Sequence, residues 1–218
     1  MRSVLTIAGS DPSGHRGLQA DLRVFAAHGV HGMAVPTALT VQTGDFEVHP
    51  APVELVRRQV RAVVGKAVVV KVGMCATASI ARMLAQELAG AVVVLDPVLA
   101  STSGVPLLDE PESLLPLAAI STLVTPNLDE ARRLPALLEG TALLKGGHGE
   151  GDVVVDRLGE AEWRRPRLHG ADTRGTGCRL SSAIAARLAL GETLESAVAG
   201  AGAWLHAELQ ASVGRATV

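Results

Sequence analysis

The sequence predicts an α/β fold in which helices cover both faces of a mostly parallel central sheet. Short β-branched and aliphatic runs alternate with longer helical segments along the chain. Several of these runs are apolar at every position, which is the pattern of strands buried on both faces. The crossovers between runs are about a dozen residues or longer, as parallel strands require. With 218 residues and 48% hydrophobic content, we expect one domain over residues 1–218.

The predicted elements follow the alternation in chain order. The β-branched runs predict strands at Val4–Ile7, Met33–Val35, Val68–Val72, Val92–Leu95, Leu123–Val124, Ala142–Leu144 and Val153–Val155. The segments between them predict helices near Gln19–Ala27, Val53–Val64, Ser79–Leu88 and Leu128–Leu138. Leu158-Gly159 separates the last strand from Glu160–Arg164, which predicts an antiparallel hairpin. Two final helices are predicted at about Thr176–Leu190 and Leu194–Gln210.

The overall composition indicates a soluble, cytoplasmic protein. The formal net charge of −2 provides no broad basic face, so we expect no nucleic-acid partner. No apolar stretch is long enough to span a bilayer, and the first apolar run is too short for a signal sequence. The two cysteines, Cys75 and Cys178, cannot build a disulfide framework and fit a reducing compartment. We therefore expect no membrane partner either.

Polar residues follow the predicted strands at the end where an open α/β sheet binds its ligands. After the first strand comes a long polar and glycine-rich stretch, and shorter ones follow three later strands. These segments are Gly9–Asp21, Asp96-Pro97-Val98, Thr125–Glu130 and Lys145–Gly149. Glycine, carboxylate, amide and lysine groups that meet at one sheet edge suit a phosphate and metal site. Packing could explain one polar segment after a strand, but it explains less well why four such segments follow four strands.

The strongest single motif runs from Asp172 to Ser182 and opens a predicted helix with Gly175-Thr176-Gly177-Cys178. The unpaired N–H groups and the positive dipole end of such a helix suit a phosphoryl group. The same field would favour the thiolate of Cys178. The alternative is a helix start whose glycines only allow close packing. A different segment, Gly9 to Gly14, has the glycine spacing of a P-loop, but His15-Arg16 stands where a P-loop needs Lys-Ser/Thr, so it is not one.

These residues together resemble the hydroxymethylpyrimidine/phosphomethylpyrimidine kinases of thiamine biosynthesis, members of the ribokinase-like superfamily. Seven motifs occur in that family's order and span nearly the whole chain. They are Gly9–Gly14 with Gly17–Asp21, Ala38–Gln42, Lys71–Met74, Leu95–Val98, Thr125-Pro126-Asn127 with Glu130, Lys145–His148 and Gly175–Cys178. The resemblance implies a ribokinase-like, three-layer α/β/α fold and a kinase that uses ATP and Mg²⁺. The family commonly forms dimers, so a homodimer is also implied.

The resemblance also implies residue roles. Cys178 falls at the position of the catalytic base, facing the attacking hydroxymethyl oxygen, and the amides from Gly175 to Cys178 would form the anion hole. Lys145 would lie along the ATP phosphates, and Asp96 and Glu130 would hold Mg²⁺. The positions that match the nucleotide site are Asn127, Lys145, Thr176 and Gly177. The positions that match the pyrimidine site are Gly9, Asp21, Gln42 and Met74.

The chain departs from the family pattern at three places. His15-Arg16 replaces a usual Gly-Ala pair, Arg174 replaces a usual histidine, and the span between Glu130 and Lys145 is short. Two alternatives to the pyrimidine kinase follow. One is a pyridoxal kinase of vitamin B6 salvage built from the same residues. The other is a non-catalytic sensor that binds the phosphorylated pyrimidine.

Overall fold

The central sheet has six strands in the order β3-β2-β1-β4-β5-β6. The computed structural model describes residues 1–41, 47–101, 104–147, 149 and 151–213. The strands are β1 Ser3–Ser10, β2 His31–Val41, β3 Glu47–Pro50, β4 Val69–Val72, β5 Val93–Leu95 and β6 Leu123–Val124. All neighbouring pairs are parallel except β2 and β3, which are antiparallel at one edge. The parallel core of the predicted fold is confirmed.

Helices cover both faces of this sheet and form two separate cores. They are α1 Gly17–Ala27, α2 Val53–Val63, α3 Ala78–Glu87, α4 Leu115–Ile120, α5 Leu128–Arg133, α6 Thr176–Ala189 and α7 Leu194–Ser212. Side chains of α2, α3 and α4 pack with Leu5 and Ile7 of β1 on one face. Side chains of α1, α6 and α7 pack with Val4 of the same strand on the other face. The period-2 alternation of β1 thus feeds both cores, as a strand buried on two sides must.

A second, smaller sheet lies beside the β6 edge. It contains β7 Leu143–Leu144, β8 Val153–Leu158 and β9 Ala161–Pro166 in antiparallel order. Two isolated parallel bridges, Val124 with Ala142 and Asn127 with Lys145, join the segment around β7 to the main sheet. Lys145 is therefore held at the same carboxyl edge as the residues that follow β5 and β6.

Two predicted elements need correction, and two observed ones were not predicted. The helix predicted over Leu128–Leu138 ends at Arg133, because Pro135 disfavours helical geometry at the residue before it, and a 3-10 turn over Pro135–Leu138 follows. The run at Ala142–Leu144 belongs to the small sheet, where β7 has two residues. Edge strand β3 and helix α4 were not predicted. Within the described residues, no helix combines the length and apolarity needed to cross a bilayer.

Candidate phosphoryl-transfer site

An open cavity of about 490 Å³ lies at the carboxyl ends of β4, β5 and β6. The first turn of α6, the last turns of α7 and the β8–β9 hairpin form its other walls. Nine of the twelve predicted site residues line it: Met74, Asp96, Asn127, Glu130, Lys145, Gly175, Thr176, Gly177 and Cys178. Residues from five separate parts of the sequence therefore meet at one place, at the edge where an α/β sheet is expected to bind ligands.

The backbone at the start of α6 depends on a glycine. Gly175 is the N-cap residue and has a left-handed conformation with φ of 66°. A Cβ atom at this position would overlap the carbonyl oxygen of His15. Two residues later, a Cβ atom on Gly177 would lie 3.2 Å from Nζ of Lys145. The two glycines thus let the first turn of α6 lie close to the loop before α1 and to the ammonium of Lys145. The first amides of the helix have no partners within it.

A buried ion pair joins Lys145 and Asp96 beneath these amides. Nζ of Lys145 donates to Oδ1 of Asp96 at 2.6 Å, and both residues are less than 10% exposed. Burial disfavours the charged form of both groups, but the attraction of the opposite charges around them outweighs this effect. The carboxylates of Asp96 and Glu130 raise the pKa of Lys145, and the ammonium groups of Lys145 and Lys71 lower that of Asp96. Both groups are therefore charged at neutral pH.

A capping interaction at the start of helix α5 holds Glu130 at the cavity. Asn127 and Glu130 form a capping box: the Asn127 side chain accepts from the Glu130 amide at 2.8 Å, and the Asn127 amide donates to Oε2 of Glu130 at 2.8 Å. Glu130 is 8% exposed, and burial raises its pKa to about 7. Asp96, Glu130 and Lys145 carry a net negative charge when Glu130 is ionised. Two carboxylates in that setting fit Mg²⁺, which prefers oxygen ligands.

The thiol of Cys178 is neutral in this cavity. Burial raises its pKa to about 11, and the nearby charges of Lys71, which lowers it, and of Asp96, which raises it, act in opposite directions. The Gly17 amide also lowers the pKa of the thiol, but by less than burial raises it. The prediction that the helix field favours the thiolate is wrong, because removal from water outweighs it.

Known proteins resemble this chain over most of its length. Residues 11–217 match the family described as phosphomethylpyrimidine kinase. The chain belongs to this family. It is 42% identical to a hydroxymethylpyrimidine/phosphomethylpyrimidine kinase of Streptomyces coelicolor, with 89% of this chain and 84% of that protein covered. The family resemblance read from the seven motifs is confirmed.

Two solved structures share the fold of this phosphomethylpyrimidine kinase family member. A phosphomethylpyrimidine kinase from Clostridium difficile 630 is 31% identical, with a TM-score of 0.79 over 95% of this chain and 99% of that one. The pyridoxal kinase from Staphylococcus aureus in complex with ADP is 27% identical, with a TM-score of 0.85 over 96% and 88% of the two chains. The ribokinase-like fold prediction is confirmed by these kinases.

Two of the remaining three predicted pyrimidine ligands do not line the cavity. Gln42 is outside the described residues. Gly9 does not line the cavity and lies behind the Met74 side chain, whose methyl group is 2.5 Å from the position of a Cβ atom on Gly9. Asp21 has no exposed surface, and Lys71 and two hydroxyl groups surround its carboxylate. As the structure stands, Asp21 is behind the site rather than on its wall.

Sequence reasoning missed two arginines that hold the glycine-rich loop after β7. The guanidinium of Arg167 donates to the carbonyl oxygens of Gly147, Gly149 and Gly151, each at 2.7 Å. Arg165 pairs with Asp156, whose other oxygen accepts from the Gly146 amide at 2.9 Å. These contacts fix the chain that follows Lys145. Only the register of the β8–β9 hairpin brings the arginines there, so the sequence pattern contained no sign of them.

The pKa of Glu130 predicts a pH-dependent stability. In the folded chain its pKa is about 7, against an ordinary value of 4.5, so the folded state binds an extra proton between these values. Its contribution to the free energy of unfolding is thus present at low pH and decreases as pH rises towards 8, by about 2 kcal/mol in order of magnitude. We expect Glu130→Gln to unfold at higher urea concentration than wild type at pH 8, and at a similar one at pH 5.

The matched control is Asp129→Asn in the same helical turn, where the side chain is 63% exposed. This variant should keep the wild-type difference in urea midpoint between the two pH values. If Glu130→Gln keeps that difference as well, the carboxyl group of Glu130 does not titrate in this window.

Proposed function

We propose that the chain transfers the γ-phosphate of ATP to hydroxymethylpyrimidine and then to the resulting monophosphate, which yields the diphosphate used in thiamine biosynthesis. The observation that carries the proposal is the meeting of the α6 amides, Lys145, two carboxylates and a thiol in one cavity. Membership of the phosphomethylpyrimidine kinase family supports the same conclusion. The two free thiols of Cys75 and Cys178 fit a cytoplasmic enzyme.

Phosphoryl transfer relies mainly on positioning and on stabilisation of negative charge. Lys145 presents its ammonium within the cavity and would lie against the phosphate oxygens of the nucleotide. The amides at the start of α6 would face the transferring group, since all four residues from Gly175 to Cys178 line the cavity. Thr176 and Asn127 also line the cavity and would contact the phosphates. These donors are fixed before the reaction, which is the condition for their largest effect.

Asp96 and Glu130 are the residues that would hold Mg²⁺. The raised pKa of Glu130 indicates a carboxylate whose charge is poorly compensated in the free chain. The ion would neutralise charge on the nucleotide phosphates and align them. The ammonium of Lys145 is paired with the Asp96 carboxylate. Lys145, Asp96 and Glu130 would therefore act as one charged group at the phosphate end of the cavity.

A neutral Cys178 suits an enzyme that must accept two substrates. The monophosphate is already anionic and needs no base, whereas an aspartate at this position would repel it by about 4 kcal/mol at contact for an effective dielectric near 20. A thiol with a pKa of about 11 carries no charge towards that phosphate. For the alcohol, the sulfur accepts a hydrogen bond from the attacking hydroxyl and orients it. Such transition states are loose, so the hydroxyl needs little prior deprotonation.

This argument predicts different effects of Cys178→Asp on the two steps. Phosphorylation of the alcohol should persist within about tenfold, whereas that of the monophosphate should fall by about a hundredfold or more because two anions are brought together. Steady-state kinetics with each substrate measures the ratio. Cys178→Ser, which is neutral and similar in shape, is the control and should lower both rates to a similar degree. Full activity of Cys178→Asp on the monophosphate would refute the charge argument.

The test of the function itself compares three acceptors. Purified protein with ATP and Mg²⁺ is given hydroxymethylpyrimidine, its monophosphate or pyridoxal, and products are identified by mass. We expect both pyrimidines to be phosphorylated. The structural likeness to a pyridoxal kinase makes pyridoxal the second candidate, and turnover of pyridoxal alone would replace the proposal with it. Binding of the phosphorylated pyrimidine without turnover of any acceptor would indicate a sensor.

A further inference from the structure

A buried charged network lies directly behind the cavity. Asp21 on α1 and Lys71 on β4 form an ion pair at 2.9 Å, and neither side chain has any exposed surface. Thr6 of β1 donates its hydroxyl hydrogen to Oδ2 of Asp21 at 2.6 Å, and Ser182 of α6 donates to Oδ1 at 2.7 Å. We propose that this ion pair is a positioning device that fixes the start of α6 and turns its own positive end towards the transferring phosphoryl group.

The first part of the proposal follows from where Ser182 lies. It is four residues, one helical turn, after Cys178, so the two side chains share a face of α6. The Asp21 carboxylate joins that turn to the α1 helix and, through Thr6 and Lys71, to two neighbouring strands. Thr6 and Lys71 are themselves partners in the β1–β4 register. A shift or rotation of α6 would break this bond, so the amides one turn earlier are held in place.

The second part follows from the direction of the pair. Nζ of Lys71 lies 2.9 Å from the position that a Cβ atom on Gly73 would occupy, just beyond the carboxyl end of β4. The ammonium is therefore at the cavity end of the network, and the Asp21–Ser182 bond is one turn further away. Cys178 and Asp96, both cavity residues, lie within the electrostatic reach of Lys71. The charge of Lys71 acts on Cys178 more strongly than that of Asp21, so the positive end of the pair acts on the same cavity residues as the positive end of α6.

Packing alone gives little reason for such a pair. Two charges removed from water contribute uncertain net stability, and apolar residues of similar volume often replace a buried pair without loss. Removing a single partner is different, because it leaves the other charge buried and unpaired. A test must therefore neutralise both groups together and ask whether stability and catalysis separate.

The test variant is Asp21→Asn/Lys71→Met, which keeps the side-chain volumes and removes both charges. This inference rests on the proposed kinase activity, and the expected result is a fall in kcat of about 10–100-fold, with KM for ATP and for the pyrimidine changed by less than about threefold. Urea unfolding should show a folded protein of near wild-type stability. A folded double variant with wild-type kcat would overturn the proposal and leave the pair a purely structural one.

A second variant covers the case in which the double variant does not fold. Ser182→Ala removes only the bond to α6, and the matched control is Ser113→Ala, which loses a buried hydroxyl hydrogen bond of 2.6 Å to Glu110 on the other side of the sheet. Both should unfold at lower urea concentration than wild type, Ser182→Ala more so because its bond is to a carboxylate and that of Ser113 is to a backbone carbonyl oxygen. Only Ser182→Ala should also lower kcat, by about tenfold. Equal kcat values for the two variants would overturn the proposal.

A binding measurement separates this inference from the proposed function. Orthovanadate, a mimic of the transferring phosphoryl group, is titrated calorimetrically into protein saturated with ADP and Mg²⁺. Wild type should bind it, and the double variant and Ser182→Ala should bind it at least about tenfold more weakly. This result is expected even if none of the tested acceptors is phosphorylated, so it does not depend on the substrate. Unchanged affinity in the variants, or no binding to wild type, would contradict the inference.

Discussion

Replacing Gly175 with alanine is expected to lower kcat/KM by about a hundredfold or more. The residue has φ of 66°, where an alanine is strained by about 1–2 kcal/mol, and the added methyl group would overlap the carbonyl oxygen of His15. The loop before α1 and the start of α6 must then separate, which moves the amides that face the phosphoryl group. Steady-state kinetics with saturating ATP measures this loss.

The matched control is Gly191→Ala at the opposite end of the same helix. Gly191 also has a positive φ, of 96°, but no atom lies within 4 Å of a Cβ atom placed there. The variant should therefore lose about 1 kcal/mol of stability from backbone strain alone and keep its kcat. Should Gly175→Ala behave like this control, with lower stability and unchanged kcat, the α6 amides would have no part in the reaction.

Much of the cavity was predictable because its residues stand at strand and helix ends. Asp96 directly follows the apolar run Val92–Leu95, Lys145 directly follows Ala142–Leu144, and Asn127 stands three residues after Val124. Since parallel strands share one carboxyl edge, the pattern alone places these groups together. The glycines before Cys178 mark a turn that opens a helix, and the structure has α6 begin at Thr176 as predicted.

The position of Asp21 shows what the motif alone left undetermined. Leu18, Asp21 and Phe25 are spaced at three and four residues, so they share one face of α1, and all three are buried. A carboxylate on an apolar helical face indicates a buried partner rather than a substrate contact. That periodicity was available in the sequence. The partner was not, because only the packing of α1 across β1 and β4 brings Lys71 to it.

The state of Cys178 could not be predicted for a different reason. The sequence shows a helix start, and a helix start favours an anion. The removal of the sulfur from water depends on the packing of the start of α6 against the loop before α1, which only the folded chain brings together. Desolvation is a property of the assembled site, so local reasoning predicted the opposite direction for the pKa.

Replacing Lys145 with methionine is expected to reduce kcat by about a hundredfold to a thousandfold, because the buried ammonium is the charge best placed to meet the nucleotide phosphates. The variant also leaves Asp96 without its partner at 2.6 Å and should lose about 3 kcal/mol or more of stability. Steady-state kinetics and urea unfolding measure the two effects.

The two losses from Lys145→Met can be separated by a second substitution. Adding Asp96→Asn removes the unpaired charge, so the double variant should recover stability while its kcat stays low. Lys66→Met is the control for removing an exposed lysine, and should change neither quantity. If the double variant regained kcat together with stability, the ammonium of Lys145 would serve only to neutralise Asp96. Lasting loss of kcat in a stable double variant would show that the pair serves catalysis, and the Asp96→Asn single variant, assayed across Mg²⁺ concentrations, would separate the part of the loss that belongs to the proposed metal ligand.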